Sequence, residues 1–345
     1  MIGVLGYLCI DLIPNLGQSH FAYIPGSLRE VDKIEANPGG TVGNTGGALC
    51  KLGVPTRLGA LVGEDIFANV LEENLKNISS QNTEICLKRI PKNSSGYAIV
   101  LSPSNQDRMF LACRGVNDLI SSTTFDLSFF KDLKILHFGY PPLCKKMAEN
   151  DGAELVNLFS QCKKENILTS LDMSLPSKET FSYHIDWIKY LQNVLPYTNL
   201  FCPSIDELRF MLKDEKSSPE ELAEQLLNFG CSAVLLKLGK DGMLIKVSKD
   251  DKKTNIFSLF SNHVWSNSFY YEKPFPCEVL GTTGAGDSAI AGFLSGIYYG
   301  YDAKNSLKLA SRIAAYRIAA AGKLSSIPTF ENIIEKGDWK WKDPK

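Results

Sequence analysis

A run of small residues, Gly281-Thr-Thr-Gly-Ala-Gly-Asp287, opens directly into the apolar stretch Ser288–Tyr298. Such a run reads as a tight turn leading into a helix. The first N–H groups of a helix have no partner within it and lie at the positive end of its dipole. Glycine lets an anion approach that backbone closely. Asp287 sits in the first helical turn, so a candidate general base lies within one turn of a candidate anion site. Transfer of a phosphoryl group to a hydroxyl needs this pairing. Taken alone, the same residues also describe an ordinary turn with a carboxylate favoured by the dipole.

Four further groups could act with that turn. Asp11 follows the apolar stretch Ile2–Gly6. It is read at the carboxyl end of a parallel strand, where ligands of open α/β sheets bind, or as a strand-end cap. Gly39 and Gly40 permit close backbone approach, and Asn44 offers a polyol both a donor and an acceptor. Lys237-Leu-Gly-Lys-Asp-Gly242 reads as a strand and a glycine turn (Gly239, Gly242) suited to a nucleotide, or as a simple hairpin turn. Pro203-Ser-Ile-Asp-Glu207 places a carboxylate at a helix start. Glu207 there either holds Mg²⁺ through water or is solvated.

These residues must be carried by a scaffold. The chain has 345 residues, 44% hydrophobic and 22% charged, with a formal net charge of −1. That is the composition of an ordinary globular protein with a core needing no disulfide or metal staple. No basic tract interleaves with aromatics, which argues against nucleic acid as a partner. No apolar run approaches the roughly 18–20 residues that span a bilayer, which argues against the membrane. The opening Met-Ile-Gly-Val-Leu-Gly is read as a strand and not as a targeting segment. Nine cysteines without a Cys-x-x-Cys pair suggest reduced thiols and a cytoplasmic setting. His20, His137, His184 and His263 lack metal-ligand spacing and are read as structural or surface residues.

Strand and helix patterns alternate, which predicts an α/β fold with a mostly parallel sheet. Strands are expected at Ile2–Gly6, Arg57–Val62, Ile135–Phe138, Ile167–Leu171 and Ala233–Leu238. Helices are expected at Thr45–Leu52, Ile66–Asn77, Pro219–Phe229, Ser288–Tyr298 and Ala303–Ala321. Two segments interrupt the rhythm. Leu12–Pro38 is long and rich in Pro and Gly. Thr83–Ala112 reads as hairpin strands Thr83–Ile90, Tyr97–Ser102 and Arg108–Ala112. Both are expected to form one small β-sheet covering a cleft. Ser174–Leu195 is read as a surface excursion ending in the helix Ile185–Leu195. Residues 331–345, with Trp339 and Trp341, form a charged tail.

Taken in order, these motifs resemble the ribokinase-like (PfkB) family of carbohydrate and nucleoside kinases, from about Ile2 to Pro328. The resemblance implies a three-layer α/β sandwich with a mostly parallel central sheet and a small β-sheet lid. It implies one kinase domain over 1–330, with lid segments near 12–38 and 83–116. By it, Asp287 is the catalytic base, and Gly284, Ala285 and Gly286 form an anion hole. Asp11, Gly39, Gly40 and Asn44 bind the phosphate acceptor. Lys237, Gly239, Gly242 and Thr283 contact the nucleotide, and Glu207 is associated with Mg²⁺. The implied reaction is ATP-dependent phosphorylation of a hydroxymethyl group of a sugar. A nucleoside acceptor, or a catalytically silent binder of sugar or nucleotide, is the alternative.

Three positions depart from the family pattern. Gly281 stands where an Asp linked to a monovalent cation site is common, so K⁺ activation is open. Ser204 replaces the Asn of Pro-Asn-x-x-Glu, and Lys237 replaces a Thr. A dinucleotide oxidoreductase is disfavoured, because no Gly-x-Gly-x-x-Gly follows a strand with an acid about 20 residues on. The phosphate loop Gly-x-x-x-x-Gly-Lys-Ser/Thr is also absent. Arg108 and Arg114 could read an anionic acceptor or pair with an acid. Tyr97 and Phe110 could stack on a base or pack in the core. A homodimer through the lid is expected from the resemblance.

Overall fold

The computed structural model describes residues 1–17, 24–102 and 109–335. His20, Arg108, Trp339 and Trp341, with parts of the Leu12–Pro38 and Thr83–Ala112 segments, lie outside the described residues.

Short apolar strands form a nine-stranded sheet: β1 (Ile2–Gly6), β4 (Thr56–Gly63), β5 (Thr83–Ile90), β8 (Ile135–Gly139), β9 (Leu168–Asp172), β10 (Leu200–Phe201), β11 (Ala233–Lys237), β12 (Met243–Val247) and β13 (Phe269–Glu272). Their order is β13-β12-β11-β10-β9-β8-β1-β4-β5. All pairs are parallel except β11 with β12 and β12 with β13. The central strands are buried on both faces, as continuous apolar runs require. Their side chains alternate between two cores, one on each face of the sheet. Ile2, Val4, Ala233 and Leu235 enter one core, with the helices Gly47–Lys51, Ile66–Ile78, Ala285–Tyr298 and Ala303–Ile318. Leu136, Phe138, Val234 and Leu236 enter the other, with Ala153–Lys164, Trp187–Val194, Ile205–Leu212 and Pro219–Phe229. This is the ribokinase-like layering that the resemblance implied.

The second sheet has four strands, β2 (Cys9–Pro14), β3 (Ile34–Gly39), β6 (Gly96–Leu101) and β7 (Met109–Cys113), in the order β3-β2-β6-β7. Two expectations change here. Thr83–Ile90 is not a lid strand: β5 pairs in parallel with β4 along its whole length and forms the edge of the large sheet. A half-covered edge strand alternates in polarity just as a hairpin strand does, so period two could not separate them. Asp11 does not end the first strand of the large sheet. Gly6 takes a positive φ of 130° and breaks β1, and the chain resumes as β2 in the small sheet, where Asp11 pairs with Asn37 and Ala98.

Two smaller differences concern helices. The helix expected at Thr45–Leu52 begins earlier, through a π-helical turn Val42–Gly46 that continues into Gly47–Lys51. In the Ser174–Leu195 excursion, the helix Trp187–Val194 buries Trp187, Tyr190, Leu191 and Val194 against the core, so this segment is not purely superficial. All nine cysteines are free.

The helices Ala285–Tyr298 and Ala303–Ile318 pack at glycine. A Cβ at Gly292 would stand 3.0 Å from Ala310 Cα. This close approach brings the far end of Ala303–Ile318 back beside the start of Ala285–Tyr298.

Candidate active site

Gly284 opens the helix Ala285–Tyr298 in the left-handed region, at φ 71° and ψ 10°. A side chain there would be strained, and its Cβ would also stand 2.7 Å from Arg317 Nη2. Asp287 follows in the first turn and is only 5% exposed. Thr45 Oγ1 donates to Asp287 Oδ1 at 2.9 Å. Tyr140 Oη lies 2.8 Å from both Asp287 oxygens and donates to the carboxylate. Burial pushes the Asp287 pKa up, while Lys237, Tyr140, Thr45 and Arg317 pull against it. A buried carboxylate surrounded by donors is what a tuned base requires.

Each partner is placed by a local irregularity. Thr45 belongs to the π-helical turn, a feature often found at functional sites. That turn follows Gly40, whose φ of 73° lets the chain pass against the Tyr7 carbonyl. Tyr140 follows the last residue of β8 at φ 64° and ψ 47°, a sparsely populated conformation for a bulky residue. Its N–H donates to Asp172 O at 3.2 Å.

A second ionic group lies beside the turn. Lys237 Nζ meets Asp172 Oδ1 at 2.6 Å, and both side chains are largely buried. A Cβ at Gly286 would be 3.6 Å from Lys237 Nζ, so Lys237 points toward the glycine turn and not to solvent. Burial works against its charge, but Asp172, Glu207 and Asp287 hold its pKa above the ordinary lysine value. Burial raises the Asp172 carboxyl against the pull of Lys237. The segment after Pro203 is drawn alongside, because Lys237 N donates to Pro203 O at 2.9 Å. Ser204 caps the helix Ile205–Leu212: Glu207 N donates to Ser204 Oγ and Ser204 N donates to Glu207 Oε2 at 2.7 Å. The serine that departs from the family pattern thus makes a capping box with Glu207.

The Asp11 carboxylate fills the space where Gly39 would carry a Cβ. Cys9 Sγ lies 3.4 Å from Asp11 Oδ1. Burial pushes the Asp11 pKa up to about 6, with the Asp287 charge adding to the rise. Asn44 Oδ1 accepts from Arg317 Nη2 at 3.0 Å. Gly239 and Thr283 are exposed. Gly242, at φ 95°, packs against the Glu272 carbonyl.

Asp287, Gly284, Gly286, Lys237 and Glu207 are therefore drawn into one neighbourhood, linked to Asn44 through Arg317 and to Asp11 through its field. Ala285 N–H donates to Thr282 O at 3.2 Å, so one of the three expected anion donors is already engaged. Arg114 pairs with Asp118 at 2.9 Å and lies over the Phe181 ring. Tyr97 packs on Phe67, whereas Phe110 stays 53% exposed on β7. His137 is buried, held near Ser170 Oγ, and its pKa is pushed down to about 3 by burial and Lys237, which keeps it neutral.

Thr45, Tyr140, Asp172 and Arg317 are not found by the motifs. Asp172 carries the signal used for Asp11, a carboxylate at the end of a parallel strand. Arg317 stands out as a cation among small residues. Thr45 and Tyr140 carry no distinguishing signal.

The sequence profile of the pfkB family carbohydrate kinases matches residues 1–329. An ATP-dependent 6-phosphofructokinase of Thermoanaerobacterium thermosaccharolyticum is 25% identical over 312 residues, covering 90% of this chain and 88% of that one. A 5-dehydro-2-deoxygluconokinase of Clostridium tetani is 25% identical over 334 residues, covering 95% and 90%. The structure of Arabidopsis thaliana ribokinase complexed with ribose and ATP superposes with a TM-score of 0.73 at 17% identity, covering 99% of each chain.

Proposed function

The chain belongs to the pfkB family of carbohydrate kinases, and from that premise we propose that it transfers the γ-phosphoryl group of ATP to a hydroxymethyl group of a sugar. The observation that carries this reading is the buried Asp287 carboxylate, held by Thr45 and Tyr140 one turn into a helix opened by left-handed Gly284. Asp287 takes the acceptor's hydroxyl proton. The acceptor oxygen forms a bond to the γ-phosphorus, the bond from phosphorus to the bridging oxygen breaks, and its electron pair leaves with ADP. The N–H groups of Gly284 and Gly286 receive the negative charge, and Ala285 joins once a phosphoryl oxygen outcompetes Thr282 O. Removing one preorganised donor of this kind costs about 3–4 kcal/mol.

Asp11, Gly39, Gly40 and Asn44 bind the acceptor in this reading. Lys237, Gly239, Gly242 and Thr283 bind the nucleotide. Among the described residues no cluster of three or more His, Cys, Asp or Glu could cage a metal ion. Glu207 has one oxygen on Ser204 N–H, which leaves the other for a metal-bound water. That fits Mg²⁺ carried by nucleotide phosphates, where the ion neutralises phosphate charge. K⁺ is not needed in this reading. A Cβ at Gly281 would stand 3.0 Å from Ala321 Cα, so a side chain there would be tight. The small sheet acts as a lid that excludes water, and residues 1–330 act as one kinase domain.

An ADP-release assay with MgATP tests this against sugars, sugar acids, sugar phosphates and nucleosides, with and without potassium. Acceptor-dependent release, equal in both salts, is the expected result. Intact ATP binding with no release across the panel would remove the catalytic reading.

A further inference from the structure

Arg317 is 4% exposed, near the end of the helix Ala303–Ile318. One of its nitrogens, Nη2, donates to Asn44 Oδ1. Nε and Nη1 are buried and have no partner among the described residues. Unpaired buried donors on a cation are costly and call for an explanation. The guanidinium lies against the backbone of Gly284, with Nη2, Cζ and Nε at 2.7, 3.0 and 3.2 Å from where a Cβ would stand. Its charge also acts on Asp287. It therefore spans a gap between the residue assigned to the acceptor and the turn assigned to phosphate.

The geometry points to Arg317 as a further catalytic residue, one of whose unpaired donors, Nε or Nη1, binds an oxygen of the transferring phosphoryl group. An anion held there lies within one helical turn of Asp287, so it is the group in transfer and not a distant phosphate or carboxylate of the acceptor. Guanidinium is planar, permanently charged and aims each donor in a fixed direction. Holding Asn44 with Nη2, Arg317 ties acceptor position to phosphoryl position. This role rests on the kinase reading above.

Arg317→Met and Arg317→Lys test it. Met is of similar length and removes a buried charge with two unbonded donors, so thermal stability is expected to hold or rise. For Arg317→Met, MgATP affinity is expected within about threefold of wild type and kcat down by at least about 10²-fold. Arg317→Lys should recover part of kcat. MgADP with aluminium fluoride, measured by calorimetry without acceptor, should bind at least about tenfold more weakly to Arg317→Met. Turnover near wild type, or equal losses in both variants with a matching drop in melting temperature, would overturn the assignment. Should wild type turn over no acceptor, the kinase reading falls. Weaker fluoride-complex binding by Arg317→Met would still support the anion site, and unchanged binding would remove it.

Discussion

In the proposed reaction, Asp287 is the residue on which the chemistry turns. Asp287→Asn keeps the shape and the Tyr140 contact but cannot take a proton. We expect MgATP affinity within about twofold of wild type and turnover lowered roughly 10²–10⁴-fold; near-normal turnover in an acceptor-saturated assay would sink the base assignment. Asp11 supplies a pH signature. Its pKa is raised to about 6, first by burial and then by Asp287. As an acceptor of hydroxyl hydrogen bonds it works when ionised, so kcat/KM should climb as pH rises through about 6. For folding the sign is opposite. A raised carboxyl pKa means that the native state holds the proton more tightly than the unfolded chain. The resulting stabilisation is full below the unfolded value of 3.8 and is lost as pH rises through about 6. Asp11→Asn should remove the limb near pH 6 from the kcat/KM profile; persistence of that limb would assign it to another group.

At the scale of elements, the helix start matters more than the helix. Gly284 meets two demands at once, a positive φ and the close guanidinium of Arg317. Gly284→Ala is therefore expected to cost about 1–2 kcal/mol from the backbone alone. It should also push Arg317 away, lowering kcat far more than the stability loss implies. A thermal melt beside a kcat measurement separates the two, and a variant with lower stability but normal kcat would count against the turn. The capping box at Ser204 and Glu207 illustrates a second point. A replacement that looks like a lost polar contact in the motif is a working N-cap, and it holds the Glu207 carboxylate near Lys237.

For the whole molecule, the small four-stranded sheet leaves Ile34, Met109, Phe110 and Leu111 substantially exposed. Apolar residues gathered on one small sheet suit a self-complementary contact. We expect a dimer of this chain through the lid in light scattering. Phe110→Glu should shift it to monomer; an unchanged mass would place any dimer contact elsewhere.

The layered fold is legible in the amino-acid sequence, because burial on two faces or on one leaves different periodicities in the apolar runs and the amphipathic stretches. Pro219–Phe229 is delimited by its own start signals. Gly284 to Asp287 stands out because a left-handed turn opening a helix with a first-turn carboxylate restricts residue types within a few consecutive positions. The membership of Thr83–Ile90 in the large sheet is not legible, since strand pairing is a long-range choice that local alternation does not encode. Nor are the partners of Asp287. Thr45 and Tyr140 lie 242 and 147 residues away in sequence, and only the packing of the helix Ala285–Tyr298 against the Val42–Gly46 turn and the end of β8 brings them to it. Local backbone chemistry thus determined where a candidate base and a candidate anion turn would be. The tertiary structure alone decided which hydroxyls hold the base, which lysine and arginine face the turn, and how the acid of the small sheet comes to share its field.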